Sequence, residues 1–421
     1  MRGSTAVFVA LAAMGVGLQK QAVAQTPEQR ADSLARELSR LKTRIDSLER
    51  VVRLLAPAAR DTARAVDELA ALRAAAAAAA PADSAAAEAP TTFVSRTRSQ
   101  PQLNPEISAT GDVRFVVTDP GPQENNFQVR EFEFSIQAPL DPFSNTKIFL
   151  GWEEGHLDLE EGYGYWTGLP GHLRLDVGRF RQQIGELNRW HLHALPESEY
   201  PLVLREYLGE EGLVGDGLSL YWLAPATAKA LGTHEFHAQV TLANNETLFE
   251  SGTRLSYLGH FLNFWQLSPS TFLQVGATGL YGKNPDADLS STVFGGEFRL
   301  TWRPPARANY RSFTLRGEGY RVKQTVEDVG EPRYGGFLGA RFQVNQRLHL
   351  GTRFDWVEPL SGGGDHIWAI VPSLTWWQSE WVYLHAEWEH QSNPDLLGRL
   401  ANNRFSIRAV WSVGPHKHES Y

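Results

Sequence analysis

Six charged side chains crowd one stretch of the chain: Arg179, Arg181, Glu186, Arg189, Arg205 and Glu206. Fixed charges in a narrow aqueous passage select ions by their field and by replacing hydration partners. These six are therefore the candidates for a pore constriction. The same residues would also suit a solvated loop, and both readings stay open. Histidines add a second possibility. His191 and His193 flank Leu192, His234 and His237 sit close together, and His416 and His418 lie near the chain end. Two histidines at i, i+2 on a strand point to one side and offer nitrogen ligands to a divalent ion. With 13 histidines in the chain such pairs also arise by chance. His191, His193, His416 and His418 thus remain candidate ligands, with no metal site assigned. The acidic pairs Glu153-Glu154, Glu160-Glu161 and Glu210-Glu211 read as solvated rim or loop charge. No GxSxG, HExxH or GxxxxGKS phrase occurs, so no catalytic residue, enzyme activity or cofactor is assigned.

The elements around this stretch must hold it in place. Leu173, Leu175 and Val177 alternate with Arg174 and Asp176 before it, and a second alternating run, Leu218 to Trp222, follows. From about Glu106 onward the period is two throughout. Phe132, Phe134 and Ile136 alternate with Glu131, Glu133 and Ser135; Phe354 and Trp356 alternate with Arg353 and Asp355; Phe405, Ile407 and Ala409 alternate with Arg404, Ser406 and Arg408. Turn phrases such as Asp141-Pro142, Pro170-Gly171 and Pro304-Pro305 separate the runs. The polar faces carry full charges of both signs, and the apolar faces carry aromatics near run ends, including Trp152, Trp166, Trp302, Trp356, Trp381 and Trp411. That pattern fits a barrel with a charged aqueous lumen and an aromatic girdle. A soluble all-β protein is the alternative. About sixteen runs fall between residues 106 and 413; parity is ambiguous in 252–266 and 364–378. The expected fold is all-β: a transmembrane antiparallel β-barrel of about 16 strands, preceded by an α-helical coiled-coil stalk.

The N-terminal quarter is organised differently. Residues 1–24 read as a signal peptide, with Arg2, an apolar core from Ala6 to Leu18, and Ala22-Val23-Ala24 before Gln25. Residues 27–56 carry a heptad, with Leu38, Ile45 and Val52 at one core position and Leu34, Leu41, Leu48 and Leu55 at the other. This predicts a coiled coil, or else one amphipathic helix packed on its own barrel. Residues 57–103 form an Ala- and Pro-rich helical spacer and linker, and residues 104–421 the barrel. There is no cysteine, and the net charge is -8. Disulfides and thiolate metal sites are excluded, and nothing suggests a nucleic-acid surface.

The segment LRLDVGRFRQQIGELNRWHLHALPES and the following REYLGEEGLVGDGLSLYW resemble the phosphate-selective porin family of bacterial outer membranes. The likeness rests on the phrase Gly178-Arg179-Phe180-Arg181 and on the return Gly209-Glu210-Glu211-Gly212-Leu213. It implies a 16-stranded, usually trimeric outer-membrane barrel that conducts small solutes. Phosphate specificity does not carry over, because the stretch has at least as many acids as bases and no dense ladder of Arg and Lys. The expected function is a porin allowing passive diffusion of small hydrophilic solutes or ions, hence ion transport. Its expected partners are outer-membrane lipid, those solutes, and further copies of itself, a trimer by resemblance. The stalk is expected in the periplasm. The alternative is a structural anchor whose stalk tethers or spaces the envelope.

Overall fold

The structure is a computed structural model that describes residues 105–119, 126–153, 155–225, 229–250, 254–284, 286–326, 329–361, 365–393 and 402–414. The expected signal peptide, coiled coil and spacer, and the tail pair His416 and His418, lie outside the described residues.

Sixteen strands follow one another: β1 (Glu106–Asp119), β2 (Phe127–Pro139), β3 (Ser144–Glu153), β4 (His156–Leu169), β5 (Leu173–Arg181), β6 (Val214–Leu223), β7 (Thr233–Leu242) and β8 (Leu255–Ser268). The second half holds β9 (Thr271–Asn284), β10 (Leu289–Trp302), β11 (Ser312–Val326), β12 (Pro332–Gln343), β13 (Leu348–Val357), β14 (Ile367–Trp377), β15 (Val382–Gln391) and β16 (Asn403–Val413). Each pairs with its sequence neighbours, and β1 pairs antiparallel with β16 from Ala109↔Val413 to Asp119↔Asn403. The sheet therefore closes and leaves no unpaired edge. Among the described residues no helix is long and apolar enough to cross a membrane, which says nothing of a barrel.

Period-two sequence places alternate side chains on opposite faces. Phe134, Leu338, Phe354 and Trp388 stand exposed on the outer face. Their strand neighbours Glu133, Arg353, Asp355, Glu387 and Glu389 are buried inside. Apolar-out and charged-in is the reverse of a soluble barrel. The two ambiguous runs become β8 and β14. In β14 the outward Ile370 and Leu374 are exposed, while the inward Ile367, Ala369 and Val371 are fully buried. Both faces are apolar there because the inner one is covered by another part of the chain.

That part is the segment between β5 and β6, residues 182–213, which turns into the lumen. It carries two 3₁₀ turns, Leu187–Arg189 and Leu192–Ala194, and a helix α1 (Leu202–Leu208). A short helix α2 (Glu246–Phe249) beyond β7 packs against α1, and Asn245 Nδ2 donates to the Leu208 carbonyl at 2.8 Å. One apolar core joins the loop to the wall. Ile184, Leu187, Leu195, Leu202, Val203, Leu204 and Leu208 meet Val293, Val322, Phe337, Val357, Ile367 and Ala369.

Candidate functional site

The site is the lumen itself, divided by the inward loop. Its neck is tied at one residue. Asn188, fully buried, donates from Nδ2 to the carbonyls of Gln182 (2.9 Å) and Leu213 (3.0 Å) and accepts from Leu213 N at 2.7 Å. Asn188 thus clamps both ends of the loop together. Two glycines permit this path. Gly185 takes φ +65° where the loop turns inward against Glu318 and Tyr320, a region L side chains rarely adopt. Gly212 (φ +76°) leaves no room for a Cβ beside Asn188 Oδ1. Beyond the neck, Glu318 Oε1 accepts the backbone N–H groups of Glu186 and Leu187, both at 2.9 Å.

The loop then crosses to the opposite wall through ion pairs. Glu186 accepts from Arg299 of β10 (2.7 Å) and Arg316 of β11 (3.4 Å). Burial alone would raise the Glu186 carboxyl, but Arg316, Arg299 and Arg189 outweigh it and hold the pKa below the ordinary carboxylate value. Glu199 pairs with Arg114 of β1, with Arg130 of β2 at 3.2 Å and with Arg404 of β16 at 3.0 Å. Burial again opposes the charge, yet those guanidinium groups hold Glu199 well below its usual range. Ser198 N donates to Glu387 of β15 at 2.8 Å, and Leu202 N to Asp355 of β13 at 3.2 Å. Arg408 of β16 reaches back to the carbonyls of Leu192 (3.3 Å) and Leu195 (3.1 Å).

The six constriction candidates scatter around this frame. Arg181, at the end of β5, is buried and donates to Tyr200 Oη (3.0 Å), the Glu211 carbonyl (2.7 Å) and Glu160 (3.4 Å). Glu186 sits between the two wall arginines. Arg189 donates to Gln183 at 3.1 Å, Arg205 on α1 to Glu389 of β15 at 3.2 Å, and Glu206 accepts from Leu360 N at 2.8 Å. Arg179 stands apart. It shares the parity of the outward Val177 and pairs with Asp216 of β6 at 3.2 Å, with both side chains more than a third exposed.

His191 and His193 are not on a strand, as the spacing suggested: His191 precedes the second 3₁₀ turn and His193 lies in its middle. Their rings still lie together, 5.9 Å apart. Each turns to wall carboxylates, and Glu133 lies near both. His191 Nδ1 lies 2.7 Å from Glu133 Oε2 and 2.8 Å from Glu160 Oε2; its Nε2 lies 2.7 Å from Glu161 Oε1. His193 Nδ1 lies 3.1 Å from Glu131 Oε2. Burial disfavours charge on either ring, but Glu133 and Glu160 raise His191 well above an ordinary histidine, and Glu133 and Glu131 raise His193. His237 instead faces His260, with ring centroids 5.8 Å apart, and Tyr221.

Two β-bulges make this cluster possible. Phe149 pairs with Glu161 and Leu150 with Leu159, so Glu160 is the extra residue of β4. Asp112 pairs with Glu131 and Val113 with Val129, so Arg130 is the extra residue of β2. A bulge re-aims a side chain that strict alternation would send outward. Glu160-Glu161, expected as solvated rim charge, therefore closes on a buried histidine. No simple sequence signal announces either bulge. Glu131 and Glu133 were legible only as inward charges, not as partners of the loop, and Glu199 was not singled out within it.

Space remains on both sides of the loop. A cavity of about 540 Å³ at the loop end is lined by Glu131, Glu153, Asp158, Glu160, Arg179 and Arg181. One of about 640 Å³ at the turn end is lined by polar groups including Arg303, Asn309, Ser312, Gln343 and His349. A separate pocket of about 30 Å³ beside Arg181 and His191 is bordered by Lys147, Glu161, Asp176, Gln183 and Arg189. That is room for about one water.

Sixteen strands, antiparallel closure and a long loop after the fifth strand define a porin-like barrel fold. Solved structures agree on the fold. An anion-selective porin from Comamonas acidovorans superposes with a TM-score of 0.51 at 9% identity, over 75% of this chain and 100% of that one. OprB of Pseudomonas putida superposes with a TM-score of 0.51 at 10% identity, over 74% and 94%. By sequence, an uncharacterized protein of Aquifex aeolicus (strain VF5) is 32% identical over 127 residues, 30% of this chain; the chain spans 26% of that relative's length. No protein-family model matches.

Proposed function

We propose that the chain is an outer-membrane porin for passive diffusion of small hydrophilic solutes or ions, with residues 182–213 as its gate. One observation carries this: a charged loop is docked across the lumen of a barrel that is apolar outside and keeps polar cavities on both sides of the loop. Arg181, Glu186, Arg189, Arg205 and Glu206 act at the constriction, and Arg179 tunes the rim. Selectivity is weak in sign. Arg299, Arg316, Arg353 and Arg404 each already face a carboxylate, so few bare cations remain to hold an anion such as phosphate. The barrel works as a homo-oligomer, a trimer by the family resemblance, with residues 1–24 as its export signal and the 27–56 coiled coil in the periplasm.

The completeness of the loop's docking favours a second reading, in which a closed barrel anchors a stalk that spaces the envelope. Planar-bilayer recording separates the two. Discrete conductance steps from the purified protein support the channel, and a folded barrel that never conducts sinks it. Reversal potentials with Arg181→Gln and Arg205→Gln then report how far each charge sets selectivity, and deleting residues 27–100 weakens oligomerisation while sparing conductance.

A further inference from the structure

The cluster around His191 is more than a set of ion pairs. Donor atoms of Glu131, Glu133, Glu160 and His191 all lie within 4.8 Å of one another. They come from three separate elements, β2, β4 and the loop, and Glu160 is among them only because of its bulge. Glu133 is buried to 1% and His191 to 1%.

We propose that His191, Glu133 and Glu160, with Glu131 as the fourth ligand, form a binding site for a divalent transition-metal ion of the Zn²⁺ class that fastens the loop to the wall. Three features point to a metal. The first is the donor set, one imidazole nitrogen with carboxylate oxygens, which suits borderline divalent ions. A tetrahedral shell with bonds of about 2.1 Å sets its donor atoms about 3.4 Å apart. His191 Nδ1 stands 2.7 and 2.8 Å from two of the carboxylates, so less than an ångström of outward movement at each seats the ion.

The second feature is the far side of the ring. Metal-bound histidines almost always give their other ring N–H to a carboxylate or carbonyl, which fixes the tautomer and the ring plane. His191 Nε2 lies 2.7 Å from Glu161 Oε1, leaving Nδ1 to face the other carboxylates. Glu161 is itself held, accepting from Arg181 N at 3.4 Å. Glu131 is steadied in the same way by His193 Nδ1 at 3.1 Å.

The third is access. The adjoining cavity, lined by Glu131, Glu153, Asp158 and Glu160, offers a cation an acidic approach.

The test uses the full chain in detergent, with His416→Ala and His418→Ala as background so that tail histidines do not contribute. After chelator stripping, Zn²⁺ binding is measured by competition with a chromophoric chelator, independently of any conductance. One equivalent per chain is expected. His191→Ala and Glu133→Gln should abolish it, Glu161→Gln should weaken it about 10–100-fold, and His260→Ala should leave it unchanged. Far-UV circular dichroism and heat-modifiable gel mobility show whether each variant folds. X-ray absorption on the unmutated ligand set needs no variant: one imidazole with oxygen neighbours at about 2.0–2.2 Å is expected. No stoichiometric binding, binding that survives both His191→Ala and Glu133→Gln, or a shell of several imidazoles would overturn the site.

Discussion

The two halves of the inward loop are held by different forces. From Glu186 to Glu199 ion pairs hold the loop to the wall beside the buried Leu187 and Leu195: Glu186 to Arg299 and Arg316, His191 to Glu133, Glu160 and Glu161, and Glu199 to three arginines. From Tyr200 to Leu208 the contacts are mostly apolar. Leu202, Val203 and Leu204 are buried against the inner faces of β12 to β14, and Arg205–Glu389 is that stretch's main ion pair. Ionic contacts between buried groups fail when one partner changes protonation state, whereas apolar contacts are indifferent to it. The polar half is therefore the half that can let go, and the apolar half is its pivot.

Glu199→Ala should give the largest effect. It strands Arg114, Arg130 and Arg404 around a missing carboxylate, and breaking a buried pair from one side costs about 3–5 kcal/mol. Proteolysis within 186–199 should accelerate, and channel openings should lengthen. Leu204→Ala removes a side chain only 1% exposed and should cost about 2–5 kcal/mol. It should lower the unfolding midpoint in urea without freeing the 186–199 segment. If both variants expose the same cleavage sites, the two halves are one unit and the comparison fails.

Acid should act on the polar half alone. The Glu199 pKa is depressed on folding, so its contribution is complete above the ordinary carboxylate value of about 4.3 and is lost as pH falls through its lower folded value. Glu186, held down by Arg316 and Arg299, adds to the same loss. Loop cleavage by an acid-active protease should therefore rise as pH drops from about 4 downward, while α1 stays protected. The smallest effect belongs to Arg179→Ala. Its pair with Asp216 is more than a third exposed on both sides, and such pairs contribute about 0–1 kcal/mol. Stability should be unchanged within error in thermal melts, unlike that of Arg181→Ala, whose guanidinium is buried against Tyr200 and Glu211.

The barrel was legible because alternation has only two phases. Phe132, Phe134 and Ile136 declare the outer face directly. The gate's position was legible too, since Arg181 to Asp216 breaks the period. What escaped was tertiary. A bulge changes phase by one residue without changing composition, so Arg130 and Glu160 looked like ordinary strand or rim charges. The apolar phrase Leu202-Val203-Leu204 has no period of its own and acquires meaning only opposite Ile367 and Ala369. Those same residues blurred the parity of β14 for the same reason.

The seam between β1 and β16 has a consequence for assembly order. It joins residues about 300 positions apart, from Ala109 with Val413 to Asp119 with Asn403, and contacts so distant in sequence are slow to form. The loop touches both sides of this seam, with Arg114 and Arg404 meeting at Glu199 and Arg408 capping Leu192 and Leu195. Enclosing the loop and zipping the seam thus become one late event in folding. The loop is a mandrel on which the last strand pair closes.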